Sequence, residues 1–307
     1  MKTILHSLIA GALLTTLAMA QASRSPLRIS SRHALRPAGI PAVDKPGAPN
    51  RSRTVYVLTI GFEFGAVDLH SGTFLPIGPG LPEDVGGGLA PGPGPSLLSL
   101  AFSGNLVAID PRTGKTKIVG PTGLSDCATP TSPCGPKSAN VVGYADGHVY
   151  ATDFANRLYS VDSRTGAAKL IGPTGLPAID FIPFTPNPDG TLNVYAESLF
   201  SARGNLYANF STAKLHPESG AITPVISGAI YQIDPKTGHT MLIAPTDSAI
   251  SYMVTVDDTV YGFNAVTGQI VTVDIRTGHT TPVSDLDPAA SVIAGAIPAR
   301  PAPNSDH

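Results

Sequence analysis

One short pattern, Asp-x-x-Ser/Thr-Gly, occurs five times in the 307 residues and constrains the fold more than any other feature of the sequence. Each copy follows a short apolar segment of the kind that forms a β-strand. The aspartate can accept backbone N–H groups and the glycine tolerates a positive φ, so the pattern predicts a tight turn between two strands. We interpret the aspartates as turn caps and not as a ring of functional carboxylates. They are Asp68, Asp110, Asp162, Asp234 and Asp274.

The spacing of these turns indicates how many strands separate them. Successive aspartates lie 42, 52, 72 and 40 residues apart, and a period of about 40 residues is typical of a four-stranded propeller blade. The C-terminal segment Ser291–Ile297 supplies the strand that the first blade lacks. The sequence therefore predicts an all-β fold, a β-propeller of about five four-stranded blades, with the ring closed by the C-terminal strand. The second strands of the blades are Val55–Thr59, Leu97–Ala101, Val149–Asp153, Leu206–Phe210 and Val260–Asn264.

Three longer stretches interrupt the regular spacing. Thr212–Ser227 is predicted to be a hairpin inserted between the second and third strands of the fourth blade, with a small sixth blade as the alternative. Leu81–Pro95 and Ser125–Pro136 are rich in glycine and proline and are predicted to be loops between blades. Cys127 and Cys134 lie in the second of these loops, and in an exported chain they are expected to form a local disulfide. Their spacing does not favour a metal site, and we predict none.

The phrase Leu/Val-Tyr-x-Val/Ile-Asp-x-x-Thr-Gly resembles the repeats of secreted bacterial β-propellers of the quinoprotein-like and YVTN-like groups. The resemblance extends over residues 54–298 and implies the architecture more than a function, because enzymes, binding proteins and scaffolds share such repeats. The quinoprotein dehydrogenases of this group typically have eight blades that carry tryptophan, whereas this chain has about five blades and no tryptophan. We therefore expect no pyrroloquinoline quinone and no other cofactor.

The N-terminus has the pattern of a signal peptide. Lys2 precedes an apolar run from Ile4 to Leu17, and cleavage is expected after Ala20, with Ala22 as the alternative. Residues 1–20 are thus predicted to be a signal peptide, 21–53 a disordered basic linker or surface-binding arm, 54–298 the propeller and 299–307 a disordered tail. We expect a secreted or periplasmic monomer without a membrane span. The formal net charge of −2 gives no reason to expect nucleic acid as a partner.

Ligands of propellers usually bind at a mouth of the central channel, where the inner strands and the ends of the second strands meet. Tyrosine, amide and carboxylate side chains at such positions suit sugars, because a ring stacks on C–H faces while polar groups bond the hydroxyls. For each tyrosine the alternative is packing between blades, which we predict for the recurring Tyr56, Tyr150, Tyr207 and Tyr261. The candidate ligand-binding residues are Asn140, Tyr144, Asp153, Tyr195, Glu197, Asn209, Tyr252 and Asn264.

Three functions remain open at this point. The leading hypothesis is a module that binds an extracellular small molecule or glycan without turning it over. The first alternative is a propeller hydrolase or lyase that uses a pair of carboxylates from Asp146, Asp153, Asp180 and Glu197, although the sequence marks no pair. The second alternative is a protein-interaction scaffold that uses the Thr212–Ser227 hairpin and the cysteine loop.

Overall fold

The computed structural model describes residues 54–59, 62–82, 85–124, 139–178, 187–216, 221–287 and 292–297. The predicted signal peptide, linker and tail lie outside these residues, as do Asp180 and the two cysteines. These segments, and the disulfide, stay predictions.

The described residues form five antiparallel sheets of four strands each, which are the blades of a β-propeller. Blade 1 contains β1 (Thr54–Thr59), β2 (Phe64–Asp68) and β3 (Phe74–Pro76), and blade 2 contains β4 (Ala90–Pro91), β5 (Leu97–Leu100), β6 (Asn105–Ile109) and β7 (Thr116–Pro121). Blade 3 contains β8 (Ala139–Ala145), β9 (His148–Asp153), β10 (Arg157–Val161) and β11 (Ala168–Pro173). Blade 4 contains β12 (Leu192–Ala202), β13 (Asn205–His216), β14 (Ala221–Ile233) and β15 (Thr240–Pro245). Blade 5 contains β16 (Ile250–Val256), β17 (Thr259–Asn264), β18 (Gln269–Val273) and β19 (Thr280–Asp285), and β20 (Val292–Ala296) returns to blade 1.

The C-terminal strand closes the ring as the sequence predicts. Strand β20 pairs antiparallel with β1, with Tyr56 opposite Ala296 and Val57 opposite Gly295, so blade 1 contains both ends of the described propeller. Strands β20, β4, β8, β12 and β16 lie innermost and contact one another in this order around the axis. Closure protects the inner edges of the described blades, which an open sheet would leave exposed.

The repeated turns join neighbouring blades as well as neighbouring strands. The buried Gly166 has a φ of 83°, and a Cβ atom on it would lie 2.5 Å from the carbonyl oxygen of Gly120 in β7 of the preceding blade. Only glycine combines this φ with so close an approach of two backbones. A backbone hydrogen bond from Ala168 N to Thr122 O, of 3.1 Å, lies beside this contact. The equivalent contacts of the other blades join Gly72 to Asp285, Gly114 to Ile77, Gly238 to Gly172 and Gly278 to Pro245.

The aspartates of these turns are caps, which confirms their interpretation from the sequence. Asp162 Oδ1 accepts the backbone N–H groups of Arg164 at 2.8 Å and Thr165 at 3.3 Å. In each of the other four turns, Oδ1 of the aspartate accepts the N–H of the residue two positions further on. These backbone donors stabilise the charged carboxylate and lower the pKa of Asp110, Asp162, Asp234 and Asp274.

The structure confirms the prediction for one of the irregular stretches and corrects the prediction for another. The hairpin Thr212–Ser227 continues β13 and β14 of blade 4, as predicted, and no sixth blade forms within the described residues. The interpretation of Leu81–Pro95 as a loop is wrong in part, because Ala90–Pro91 is the inner strand β4 of blade 2. A strand of only two residues carries no alternating pattern, so it has no signal in the sequence.

We predict that replacing Gly166 by alanine destabilises the protein more than replacing Gly175, which has a similar φ of 81° but open space within 4 Å of the position that a Cβ atom would take. Gly175→Ala should lower the free energy of unfolding by roughly 1–2 kcal/mol, the cost of a left-handed backbone. Gly166→Ala should lower it by a further 1–3 kcal/mol or so, because the added methyl group overlaps the Gly120 backbone. Urea denaturation of the two variants measures the difference, and equal losses would contradict the blade-to-blade contact.

Candidate functional site

Tyr252 connects two blades that are not neighbours in the ring. Its side chain is 1% exposed, and its hydroxyl donates to the carbonyl oxygen of Leu89 at 3.1 Å, which joins β16 of blade 5 to the segment before β4 of blade 2. Burial raises the pKa of Tyr252 to about 12. This predicted ligand-binding residue therefore lies inside the core. The remaining candidates are distributed between the mouth at the amino-terminal ends of the inner strands and the mouth at their carboxyl-terminal ends.

Three predicted residues meet at the amino-terminal mouth, in the seam between blades 3 and 4. Glu197 Oε2 accepts a hydrogen bond of 2.5 Å from Asn140 Nδ2, and Asn140 Oδ1 accepts one of 3.1 Å from the hydroxyl of Tyr195. A fourth member, Thr152, was not predicted from the sequence, and its hydroxyl donates to Glu197 Oε1 at 2.8 Å. We call these four residues the Glu197 cluster.

Glu197 is the acidic residue of this cluster, and its surroundings change its pKa. Its side chain is 7% exposed, and burial raises its pKa to about 7, against the opposing effect of the hydrogen bonds from Thr152 and Asn140. The negative charge of Asp153 raises the pKa as well. Glu197 can thus hold a proton near neutral pH, which is the property of a general acid. Both of its oxygens already have partners, however, so the cluster ties two blades together in the observed geometry.

Asp153 and Asn264 cap turns instead of joining this cluster. Each is the last residue of its blade's second strand, and Asp153 Oδ1 accepts the N–H of Arg157 at 2.9 Å. Asp153 Oδ2 also accepts from Arg157 Nε and from the Tyr159 hydroxyl, both at 2.8 Å. Asn264 Oδ1 accepts two backbone N–H groups, from residues 266 and 267, at 2.9 and 3.0 Å. The shared register in the two blades is a sequence signal that could have indicated this role.

Asn209 occupies the position in blade 4 that Thr152 occupies in blade 3, and it also contacts the next blade. Its Nδ2 donates to the carbonyl oxygen of Ile250 at 2.9 Å, while its Oδ1 is buried without a hydrogen-bond partner. The equivalent positions of blades 1, 2 and 5 are Leu58, Leu100 and Phe263, so polar residues at this position are confined to blades 3 and 4.

The carboxyl-terminal mouth holds a cavity of about 310 Å³, to which the innermost segments of all five blades contribute. Of the eight candidates only Tyr144, half-buried at the end of β8, lines it. Leu89 and Pro91 of blade 2, Ser201 of blade 4, Thr255 of blade 5 and Ile297 after β20 are among the other lining residues, and we call this space the axial cavity.

The rim of the axial cavity carries the acidic residues Asp257 and Asp258, in the turn between β16 and β17. The hydroxyl oxygen of Thr255 lies nearby, buried and without a hydrogen-bond partner. Neither the two hydroxyl residues, Ser201 and Thr255, nor the two aspartates were predicted from the sequence, because turn residues and small polar residues of this kind occur in every hairpin and carry no periodic signal.

Two kinds of functional group can be assessed for the described part of the chain. It contains no cluster of three or more His, Cys, Asp or Glu side chains arranged to hold a metal ion. None of its elements is a helix with the length and apolar character needed to cross a membrane.

No protein-family model matches the sequence, and a search among curated proteins finds no match. Similar solved structures include a nidogen/laminin complex, with 12% identity, a TM-score of 0.45 and coverage of 80% of this chain and 97% of that chain. The PQQ-bound aldose sugar dehydrogenase from Streptomyces coelicolor has 14% identity and a TM-score of 0.35, with coverage of 67% of this chain and 82% of that chain. BamB from Moraxella catarrhalis has 13% identity and a TM-score of 0.31, with coverage of 77% of this chain and 79% of that chain. At these values the likeness supports no inference about ligand or activity, and the fold assignment rests on the strand pairing described above.

We predict that Glu197 makes the free energy of unfolding fall as the pH rises from about 4.5 to about 7. The lower limit is the pKa of Glu197 in an unfolded chain, and the upper limit is its pKa in the folded protein. The folded protein keeps the proton of Glu197 over this range while the unfolded chain releases it. The contribution of Glu197 to stability is therefore fully present below pH 4.5 and is lost as the pH rises through 7. The loss should be on the order of 3 kcal/mol, and Glu197→Gln, which cannot titrate, should abolish it.

Urea denaturation of both proteins at several pH values measures this effect as the difference between their free energies of unfolding. Asp162→Asn is the matched control, because the lowered pKa of Asp162 confines its effect to pH values below about 3.8. A difference between wild type and Glu197→Gln that stays constant from pH 4.5 to 7 would contradict the assignment.

Proposed function

We propose that this protein is a secreted ligand-binding β-propeller that takes a carbohydrate in its axial cavity. The observation that carries the proposal is the position of the cavity, on the axis, where the innermost segments of five blades converge. A volume of about 310 Å³ lies at the lower end of the range for small-molecule sites. Tyr252 supports a rigid cavity wall, because its hydroxyl donates to the carbonyl oxygen of Leu89, a lining residue.

The lining of the axial cavity has the chemistry that a sugar requires. Leu89, Pro91 and Ile297 supply apolar surface, and the half-buried Tyr144 offers an aromatic ring for the C–H face of a pyranose. The hydroxyl of Ser201 can donate and accept, while carboxylates on the rim accept hydroxyl hydrogens. This combination of an apolar face with polar groups at its edge supports a polyhydroxylated ligand over a purely apolar one.

Secretion is part of the proposal and is supported by the signal-peptide pattern of residues 1–20. A ligand outside the cytoplasm follows from that location.

An acid–base enzyme is the second candidate, and the raised pKa of Glu197 is the observation that favours it. Glycoside hydrolysis needs a second carboxylate that faces the same substrate. Asp153 does not supply one in this geometry: Glu197 bonds Thr152, and adjacent residues of β9 point to opposite faces of the sheet. Formation of reducing ends from a glycan, abolished by Glu197→Gln, would establish this candidate in place of the first. The scaffold role of the Thr212–Ser227 hairpin stays a prediction.

We predict that Tyr144→Ala weakens carbohydrate binding about tenfold, because the sugar loses its stacking partner. A panel of neutral and charged oligosaccharides is first screened against the full chain on a glycan array. Titration calorimetry of the tightest binder then compares the wild-type protein with the variant.

Tyr195→Phe serves as the matched control, since it removes a tyrosine hydroxyl at the opposite mouth and should leave the affinity unchanged. If Tyr195→Phe weakens binding and Tyr144→Ala does not, the ligand binds at the Glu197 cluster instead. The absence of binding to any member of the panel would contradict the carbohydrate assignment.

A further inference from the structure

The described part of the propeller ends at the axial cavity. Ile297, its last residue, is half-buried and lines the cavity together with Gly295 and Ala296 of β20. Residues 298–307, which we call the C-terminal segment, follow directly and lie outside the described residues. Ten extended residues span about 33 Å, several times the width of a space of about 310 Å³. The C-terminal segment therefore starts at the cavity and is long enough to turn back into it.

The composition of the C-terminal segment suits an apolar pocket. Pro298, Pro301 and Pro303 have no backbone N–H, so they can enter an apolar space without leaving a donor unpaired. Proline-rich segments dock on aromatic side chains in the polyproline conformation, which is already preferred in the free chain and so costs little entropy. Tyr144 and Pro91, both half-buried, offer such a surface in the lining of the axial cavity.

The charges of the C-terminal segment and of the cavity rim are complementary. Arg300 is the first charged residue after β20, and the exposed Asp258 lies on the rim. The described lining residues include no lysine, arginine or histidine that would repel an arginine. An ion pair between exposed groups is weak, which suits a segment that has to leave when a ligand arrives.

The chain that precedes the propeller joins it at the same mouth, but farther from the axis. Thr54 begins β1, which pairs antiparallel with β20 and so starts near the end of β20. Strand β20 is the innermost of blade 1 and β1 is the second, so residues 21–53 lead to a strand one position farther out. Position therefore favours the C-terminal segment as the occupant, although residues 21–53 contain more arginine.

We propose that the C-terminal segment folds back into the axial cavity and competes with its ligand. Its prolines pack on Tyr144 and the apolar lining, and Arg300 pairs with Asp258 at the rim. A ligand then binds only the molecules whose cavity is open, so its apparent affinity falls in proportion to that fraction. The competition rests on the proposed carbohydrate function, whereas docking of the segment does not.

Docking can be tested without a sugar because the chain contains no tryptophan. Tyr144→Trp places a single fluorophore in the cavity lining, and Leu170→Trp, at an exposed position of β11, is the matched control. Ending the chain at Pro298 should increase acrylamide quenching of the first fluorophore and shift its emission to longer wavelength, because the ring loses its cover. Arg300→Glu, which keeps the chain length, should act in the same direction. The control fluorophore should change in neither variant.

A synthetic peptide of residues 298–307 supplies the reverse experiment. Added to the shortened Tyr144→Trp protein at millimolar concentration, which matches the effective concentration of a short tether, the peptide should restore the protection from acrylamide. The same peptide with Arg300→Glu should restore it less.

Titration calorimetry with the tightest-binding sugar measures the competition. If the cavity is closed in about nine molecules of ten, ending the chain at Pro298 raises the apparent affinity about tenfold. Arg300→Glu should raise it several-fold, and deletion of residues 21–53 should leave it unchanged.

The outcomes separate this inference from the proposed function. Unchanged quenching in both variants, or greater quenching with unchanged sugar affinity, overturns the inference while the carbohydrate function stands. Greater quenching in variants that bind no sugar overturns the carbohydrate function while docking stands. If deletion of residues 21–53 exposes the fluorophore in place of the C-terminal truncation, the linker is the occupant and the inference is wrong.

Discussion

The contact between each Asp-x-x-Ser/Thr-Gly turn and the outer strand of the preceding blade is the constraint on which the ring depends. At Gly166 and its four equivalents the backbones of two blades approach so closely that a Cβ atom has no room. The aspartate fixes the turn by accepting backbone N–H groups, as Asp162 does, and the glycine supplies the positive φ and the missing side chain. Five such contacts and the pairing of β20 with β1 together determine which blade follows which.

Because these turns lie between the third and outermost strands, the inner strands are left to differ from blade to blade. The seams near the axis accordingly use different polar contacts. Thr152 and Asn140 bind Glu197 between blades 3 and 4, whereas Ser198 Oγ accepts the N–H of Met253 at 3.2 Å between blades 4 and 5. Glu197 makes the seam between blades 3 and 4 sensitive to pH. Burial disfavours its charged form in the folded protein, whereas the unfolded chain exposes the carboxylate to water.

The sequence was sufficient to predict the architecture, and it was much less informative about the site, for a physical reason. The turns recur because every blade needs the same backbone geometry, so comparison within the chain reveals them. Side chains that differ between blades give no such comparison. Asp153 and Asn264, predicted as ligand contacts, cap turns in the structure. Asp257 and Asp258, which line the axial cavity, were not predicted, because aspartates are common in tight turns of every kind.

Tyr252 lies between the part of the ring that is important for stability and the part that is proposed to bind a ligand. Its buried side chain joins β16 to Leu89, and the lining of the axial cavity includes no member of the Glu197 cluster. A substitution in the seam at one mouth can then change how stability depends on pH without altering the groups that meet a ligand at the other. The two-residue turns at the carboxyl-terminal mouth place Asp146, Arg203, Asp257 and Asp258 in a left-handed conformation, and none of the five turn contacts that hold the ring together involves these turns.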